Sequence, residues 1–191
     1  MRAYIDSVSP RTRFSAPQRT LLFSLATLAL AAGAFTFVIH ASYPGYLNPD
    51  TIFQLTQIYD GWFNDWHPPF VALIWSGLLK IYPSPASFIV FHNILIWGSV
   101  VILALSAYRR VGAIALVVIA VPLLPGAANF LGNAVKDTTL VAWLLLSFAS
   151  AYQVDRVELS PAWRRGWLIA TNVFIVCSFL TRPNIVFGLI P

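Results

Sequence analysis

The segment "NDWHPPF" (64–70) brings together residue types that could do chemistry in an otherwise apolar sequence. Asp65 and His67 stand two residues apart, just before two prolines. An imidazole beside a carboxylate at a water boundary could relay a proton, bind a metal or hold a phosphate. The alternative is a rigid corner, in which Asp65 caps a helix whose first turn holds the prolines. Both interpretations stay open on the sequence alone.

Two further segments place charge next to apolar runs. Lys136 and Asp137 are adjacent in "NAVKD" (133–137), and Arg182 interrupts an apolar run in "TRPN" (181–184). An arginine within a membrane needs an anionic partner, and a phosphate is well suited to that role. The Lys–Asp pair also suits an anionic head group, although Asp137 could equally cap a helix while Lys136 extends towards water.

A fourth candidate, Asp50, lies at the start of a predicted amphipathic helix. Asn48, Pro49 and Asp50 form a helix-start pattern. Asp50, Gln54 and Gln57 share one face, and the other face carries apolar residues: Ile52, Phe53, Leu55, Ile58 and Tyr59. The pattern predicts a helix that lies flat on a bilayer. Asp50 is then either a favourable charge at a helix N-terminus or a functional acid.

The elements that carry these residues are predicted to be membrane helices. The chain is 58% hydrophobic and 10% charged, with a mean hydropathy of +0.73, which indicates a polytopic membrane protein. The net charge of +5 does not indicate nucleic-acid binding, because the arginines cluster in short segments between apolar runs. The single cysteine, Cys177, excludes a disulfide framework. His92 lies in an apolar run, where an interhelical hydrogen bond is its expected role.

The apolar run at 69–79 decides the predicted layout. The first run, 20–39, is long enough to span a bilayer and is predicted to be a retained anchor, whereas 69–79 is too short to cross. If 69–79 returns without crossing, the arginines of the N-terminal tail, of 109–110 and of the 156–165 loop all share the cytoplasmic side. The positive-inside rule favours that layout.

We therefore predict an all-α polytopic membrane protein of the inner (plasma) membrane, with a cytoplasmic tail (1–19) and a membrane domain (20–191). About five transmembrane helices are expected, at 20–40, 86–108, 111–126, 138–153 and from about 167. An amphipathic and a re-entrant helix are expected in the first extracytoplasmic loop. This layout places the candidate residues on the outer side of the membrane.

The order of these motifs resembles that of the GT-C membrane glycosyltransferases, in particular the bacterial relatives of protein O-mannosyltransferases and the lipid A aminoarabinose transferases. The shared features are an acid after the first span, "HPP" before a short apolar segment, an acid after the third span and "TRPN" on the fifth. The resemblance implies sugar transfer from a polyprenyl-phosphate donor to a glycan, lipid or protein acceptor at the extracytoplasmic face.

The same resemblance implies roles for individual residues. Asp50 would be the general base or position the acceptor, and Asp137 would be the second catalytic acid. The implied substrate-binding residues are Asp65, His67, Lys136 and Arg182, with the two cations on the phosphate. Protein mannosyltransferases carry two adjacent acids where Thr51 follows Asp50 here, so the need for a divalent metal is left open. The chain ends inside an apolar stretch, and we expect it to be the N-terminal part of a longer module.

Two other classes compete with the enzyme hypothesis. A transporter or flippase of lipid-linked saccharides would also need cations for a phosphate, but it should show broken helices in two related halves, and the sequence has no such repeat. In a non-catalytic membrane subunit, the acids would cap helices and Arg182 would face a partner helix. Convergence of Asp50, Asp137 and Arg182 on one outward cavity would favour an enzyme.

Overall fold

A computed structural model describes residues 15–63, 68–155 and 159–183, and within these ranges every regular element is a helix. The α-helices are α1 (Ala16–Ser42), α2 (Pro49–Asp60), α3 (Pro69–Ile81), α4 (Ala86–Val111), α5 (Val117–Ala120), α6 (Pro125–Leu131), α7 (Lys136–Val154) and α8 (Pro161–Thr181). The prediction of an all-α protein is thus confirmed for the described residues.

The stretch after α4 is less regular than the sequence predicts. The 111–126 run is expected to form one span, but α5 is flanked by 3₁₀ turns at Gly112–Leu116 and Val121–Leu123. Gly112 takes a left-handed conformation (φ +63°) that ends α4, as glycine readily allows. Pro122 cannot donate a helical hydrogen bond, so it favours a break.

Ring contacts fix the directions of α1 and α4. Phe23, early in α1, stacks on Tyr108, late in α4, with ring centroids 4.0 Å apart. The two helices therefore run antiparallel. The segment after Gly112 then packs back along α4, because Ile119 joins the core cluster that includes Trp97 and Val100 of α4.

The directions of α7 and α8 follow in the same way. Phe91 of α4 meets Trp143 of α7 with ring centroids 5.8 Å apart, and the Gln153 amide donates to the Ser106 hydroxyl further along both helices, so α7 runs parallel to α4. Trp143 also stacks on Phe174 of α8 at 5.9 Å, whereas the start of α7 meets the end of α8, so α8 runs antiparallel to α7.

These directions sort the charged residues between the two ends of the bundle. One end holds the exposed arginines Arg19, Arg109, Arg110, Arg164 and Arg165. The other end holds the candidate residues Asp50, Lys136, Asp137 and Arg182. The fold therefore collects the described candidates at a single end, far from the arginine cluster.

Two helical stretches in the described ranges, Ala16–Ser42 and Ala86–Leu123, are long and apolar enough to cross a membrane. The shorter helix α3 packs against α2, the first turns of α4 and α8, and its core cluster includes Trp75, which stacks on Phe88 with ring centroids 4.7 Å apart. Ala134, from the loop before α7, belongs to the same cluster. Helix α3 thus lies at the end of the bundle that carries the candidate residues.

Helix α2 buries its polar side. Gln54 and Gln57 are each only 2% exposed, whereas Ile52 is 52% exposed. A soluble amphipathic helix shows the opposite arrangement. Of the predicted apolar face, Ile52, Phe53 and Tyr59 are exposed, whereas Leu55 and Ile58 pack against the core cluster that contains Trp75.

Candidate functional site

The start of α2 has the cap that its sequence predicts. The Asn48 side chain accepts a hydrogen bond from the Thr51 backbone N–H at 2.8 Å, and Pro49 and Asp50 fill the first turn. The Thr51 hydroxyl also reaches across the fold to the Ala134 carbonyl, 2.9 Å away. The first turn of α2 is thereby tied to the segment that leads into α7.

This 131–135 segment is held from α4 by two side chains. The Leu131 carbonyl accepts hydrogen bonds from Asn93 Nδ2 at 2.8 Å and from His92 Nε2 at 3.1 Å. The interhelical hydrogen bond predicted for His92 is therefore confirmed. Both side chains are fully buried, where such bonds are retained because an unpaired partner would be costly.

The backbone of the first loop holds the same segment from the other side. Tyr46 N–H donates to the Gly132 carbonyl at 2.9 Å, and Ala134 N–H donates to the Tyr46 carbonyl at 3.1 Å. Gly132 also lies hard against α1, because a Cβ built on it would meet Ser42 Oγ at 2.3 Å and Ser42 Cβ at 2.7 Å. The entry to α7 is thus fixed by close packing as well as by hydrogen bonds.

Asp137 lies in the first turn of α7, and its carboxylate pairs with the guanidinium of Arg182 just past α8. The side chains are 47% and 45% exposed, respectively. The N-cap position belongs to Val135, which provides no side-chain cap. Asp137 is therefore not the capping residue of α7, and its described side-chain contact is made with a neighbouring helix.

The pair borders a cavity of about 670 Å³ between α4, α6, α7 and the end of α8. Apart from Thr138, Asp137 and Arg182, its lining is apolar or glycine and includes Ile96, Val121, Phe130, Leu131, Val141 and Leu145. The cavity therefore combines an apolar interior with one charged pair. That combination suits a molecule with a hydrocarbon chain and an anionic group.

The other candidates lie outside this cavity. Asp50 is exposed at the start of α2, and Lys136 is half-buried beside Asp137, but neither lines the cavity. Asp65 and His67 lie outside the described residues. In the described ranges, no three His, Cys, Asp or Glu side chains form a group that could hold a metal ion.

A tyrosine pair lies beyond the end of α1, where Tyr43 meets Tyr82 of the α3–α4 connection. Their hydroxyl oxygens are 2.8 Å apart. The hydrogen bond to Tyr43 raises the pKa of Tyr82 above its ordinary value, with a smaller contribution from burial. The pair links the first loop to the entry of α4, but the structure gives it no contact with the cavity.

Sequence reasoning missed the residues that hold the 131–135 segment, among them Ser42, Tyr46, Thr51 and Asn93. Their partners are far away along the chain, so no local pattern marks them. Comparisons of the chain with protein-family models, curated proteins and solved structures gave no match. The functional argument therefore depends on the geometry of the site itself.

Proposed function

We propose that this chain belongs to a membrane glycosyltransferase that moves a sugar from a polyprenyl-phosphate-linked donor to an acceptor at the extracytoplasmic face. One observation carries the proposal: a cation, Arg182, and an acid, Asp137, border an apolar cavity of about 670 Å³. The apolar interior would take part of the polyprenyl chain, and Arg182 would hold its phosphate.

The proposal includes a membrane layout in which five segments cross and α3 does not. The alternating directions of α1, α4, 112–131, α7 and α8 support it, because they bring the exposed arginines near the start of α1, at the end of α4 and near the start of α8 to one end. Helices α7 and α8, at 19 and 21 residues, are about as long as a span requires. Large apolar side chains also cover the outer surface of α1, such as Leu21 and Phe37, 60% and 69% exposed.

In this proposal the residues divide the chemistry of sugar transfer. The acceptor hydroxyl must lose a proton as it attacks the anomeric carbon, and Asp50 or Asp137 would take it. The departing phosphate gathers negative charge, which Arg182 and Lys136 would stabilise. The apolar cavity would strengthen the effects of Asp137 and Arg182, which border it, because it lowers the local dielectric constant. The hydrogen bond from the Thr51 hydroxyl to the Ala134 carbonyl supports this division, because it joins the segments that carry the two acids.

A second candidate function, a non-catalytic membrane subunit, is favoured by the ion pair itself. Arg182 already meets an acid on a neighbouring helix, so the pair could serve only to hold α7 against α8. In that case Arg182 would be needed for stability and would not be needed for sugar transfer.

The test is sugar release by the full-length protein in proteoliposomes, with a panel of radiolabelled polyprenyl-phosphate sugars and a membrane extract as the source of acceptor. Arg182→Gln should reduce transfer by about 10²- to 10³-fold, the loss typical of a group that stabilises developing charge. Lys80→Gln is the matched control, because Lys80 is an exposed cation at the end of α3 that does not line the cavity.

Transfer that is lost in Arg182→Gln and kept in Lys80→Gln supports the enzyme. Absence of transfer by the wild type, with Arg182→Gln less stable than the wild type, supports the non-catalytic subunit, whereas equal transfer by the two would remove Arg182 from the reaction. Movement of labelled lipid between leaflets with no transfer of the sugar supports a transporter or flippase.

A further inference from the structure

The guanidinium of Arg182 is already engaged by an anion of the protein. Among the residues that line the cavity in the described ranges, Arg182 is the cation, and its described side-chain partner is the Asp137 carboxylate. A phosphate that enters the cavity must therefore compete with Asp137 for Arg182. Binding of a phosphate at Arg182 therefore requires that the Asp137–Arg182 ion pair open.

We propose that the Asp137–Arg182 pair is the resting state of the site, and that the anionic head group of a lipid opens it by taking Arg182 from Asp137. The inference rests on the proposed function and adds a binding order to it. The lipid phosphate binds first, and the released Asp137 carboxylate then becomes available to the acceptor. Asp137 is thus an internal competitor of the donor before it is a partner of the acceptor.

The exposure of the pair makes such an exchange feasible. Both side chains are nearly half-exposed, and ion pairs in contact with water contribute little to stability. Arginine binds phosphate through two parallel N–H···O bonds. A lipid phosphate whose chain enters the adjacent cavity can therefore replace a single carboxylate.

Asp137 also keeps a favourable position after Arg182 leaves it. It lies in the first turn of the 19-residue helix α7, which has no side-chain cap. The unpaired backbone N–H groups and the helix dipole at that end stabilise a carboxylate. Opening the pair therefore does not leave the Asp137 carboxylate isolated in an apolar place.

The hydroxyl of Thr138 limits how far α7 can move in this exchange. It donates to the Phe130 carbonyl at 3.0 Å. The 131–135 segment is held through the carbonyls of Leu131 and Ala134, which accept hydrogen bonds from Asn93 and Thr51. The start of α7 is therefore fixed. The exchange must therefore come from rotation of the Arg182 and Asp137 side chains.

The experiment measures binding of a sugar-free polyprenyl monophosphate to the full-length protein in nanodiscs of zwitterionic lipid. Asp137→Asn removes the competing charge with almost no change in shape, and it should bind the lipid about 2- to 5-fold more tightly, the effect expected of a half-exposed ion pair. Arg182→Gln should bind the lipid at least about 10-fold more weakly than the wild type. The double variant should be as weak as Arg182→Gln, because Asp137 acts only through Arg182.

Inorganic phosphate serves as a second probe in the same measurement. The wild type should bind it much more weakly than the lipid, since it leaves the apolar cavity unused. Equal affinity for the two probes would show that the lipid chain does not contribute to binding, and it would overturn the proposal that a lipid phosphate displaces Asp137. If Asp137→Asn does not fold, Asp137→Ser removes the same charge and should also bind the lipid about 2- to 5-fold more tightly than the wild type, whereas unchanged or weaker binding would overturn the exchange.

The outcomes separate this inference from the proposed function. Lipid binding that depends on Arg182 but is unchanged or weakened in Asp137→Asn would overturn the exchange and leave the lipid-phosphate site standing. Absence of lipid binding in the wild type and in Asp137→Asn alike would overturn both. Tighter binding in Asp137→Asn that disappears in the double variant would support the exchange.

Discussion

Asp50 and Asp137 begin two helices in nearly the same way. Each lies in the first turn and is followed by a threonine, Thr51 or Thr138, whose hydroxyl donates to a carbonyl of the 130–134 stretch. The two acids differ in what they face. Asp137 meets Arg182 at the cavity, whereas Asp50 is exposed and does not line it.

Local sequence therefore determined the first turn of each helix, while the packing of distant helices determined what each acid contacts. The same Asp-Thr pair gives one carboxylate that is paired with a cation and one that faces outward. A carboxylate paired with a cation is suited to hold or release that cation, and an exposed one is open to the approach of an acceptor hydroxyl. The comparison therefore assigns different roles to the two acids.

The largest expected effect comes from the exposed acid. Asp50→Asn in the full-length protein should lower sugar transfer by about 10²- to 10⁴-fold, the contribution usual for a general base, while the protein still inserts and binds the lipid donor. The measurement is single-turnover transfer of a labelled sugar, with Asp60→Asn at the other end of α2 as the matched control. Unchanged transfer in Asp50→Asn would remove Asp50 from the reaction.

Gly132 tests whether the fixed entry to α7 matters. Gly132→Ala places a methyl group against Ser42 Oγ and Cβ, so it should lower the free energy of unfolding by about 1–3 kcal/mol through overpacking. Gly126 lies in α6, and a methyl group added there would have nothing within 4 Å. Gly126→Ala should therefore be neutral or slightly stabilising.

Denaturant titration of the two glycine variants in detergent checks this contrast. Restoration of the Gly132→Ala variant by a second change, Ser42→Gly, would confirm that the contact itself is responsible. Equal stability of the two alanine variants would show that the 131–135 segment is free to move.

The two threonines should respond alike, although the two acids beside them do not. Thr51→Val and Thr138→Val each remove one hydrogen bond from a hydroxyl to a distant carbonyl, and each should lower the free energy of unfolding by about 1 kcal/mol. Thr56→Val is the control, because the exposed Thr56 hydroxyl donates only to Ile52 in its own helix. A large loss at Thr51 with none at Thr138 would break the likeness on which the comparison depends.

The smallest expected effect concerns the ion pair as a structural contact. Arg182→Asp brings two acids together, and the exchanged double variant Asp137→Arg, Arg182→Asp restores opposite charges. Thermal unfolding should show a gain of about 0.2–1 kcal/mol for the double variant over the sum of the two single variants, since the pair is half-exposed. A gain well above that range would favour a structural role for the pair.

Much of the local structure was predictable from the sequence. The Asn48 cap, the first turn of α2 and the all-helical class follow from residue types and from patterns a few residues long. The break after Val111 was not predicted, because the 111–126 run is apolar enough for one span and the effect of Pro122 depends on how the segment packs against α4.

The arrangement of the site could be predicted only in part. The sequence named Asp137 and Arg182 as candidates but could not pair them, because 45 residues separate them. It could not distinguish Gly132 from the other glycines either, since the crowding at Gly132 comes from Ser42 on another helix. Nor could it predict that Gln54 and Gln57 are buried, which follows from the way α2 packs against the rest of the fold.

The proposed function requires that Asp50, Asp137 and Arg182 face one extracytoplasmic compartment, and that the chain enters and leaves the membrane on that same side at α3. The most direct measurement is labelling of single cysteines, introduced into the full-length protein with Cys177→Ala, by a membrane-impermeant maleimide on intact cells. Asp60→Cys and Asn129→Cys should react in intact cells, and Arg110→Cys and Arg165→Cys should react only after permeabilisation. Reaction of Asp60→Cys and Asn129→Cys from opposite sides of the membrane would contradict the account.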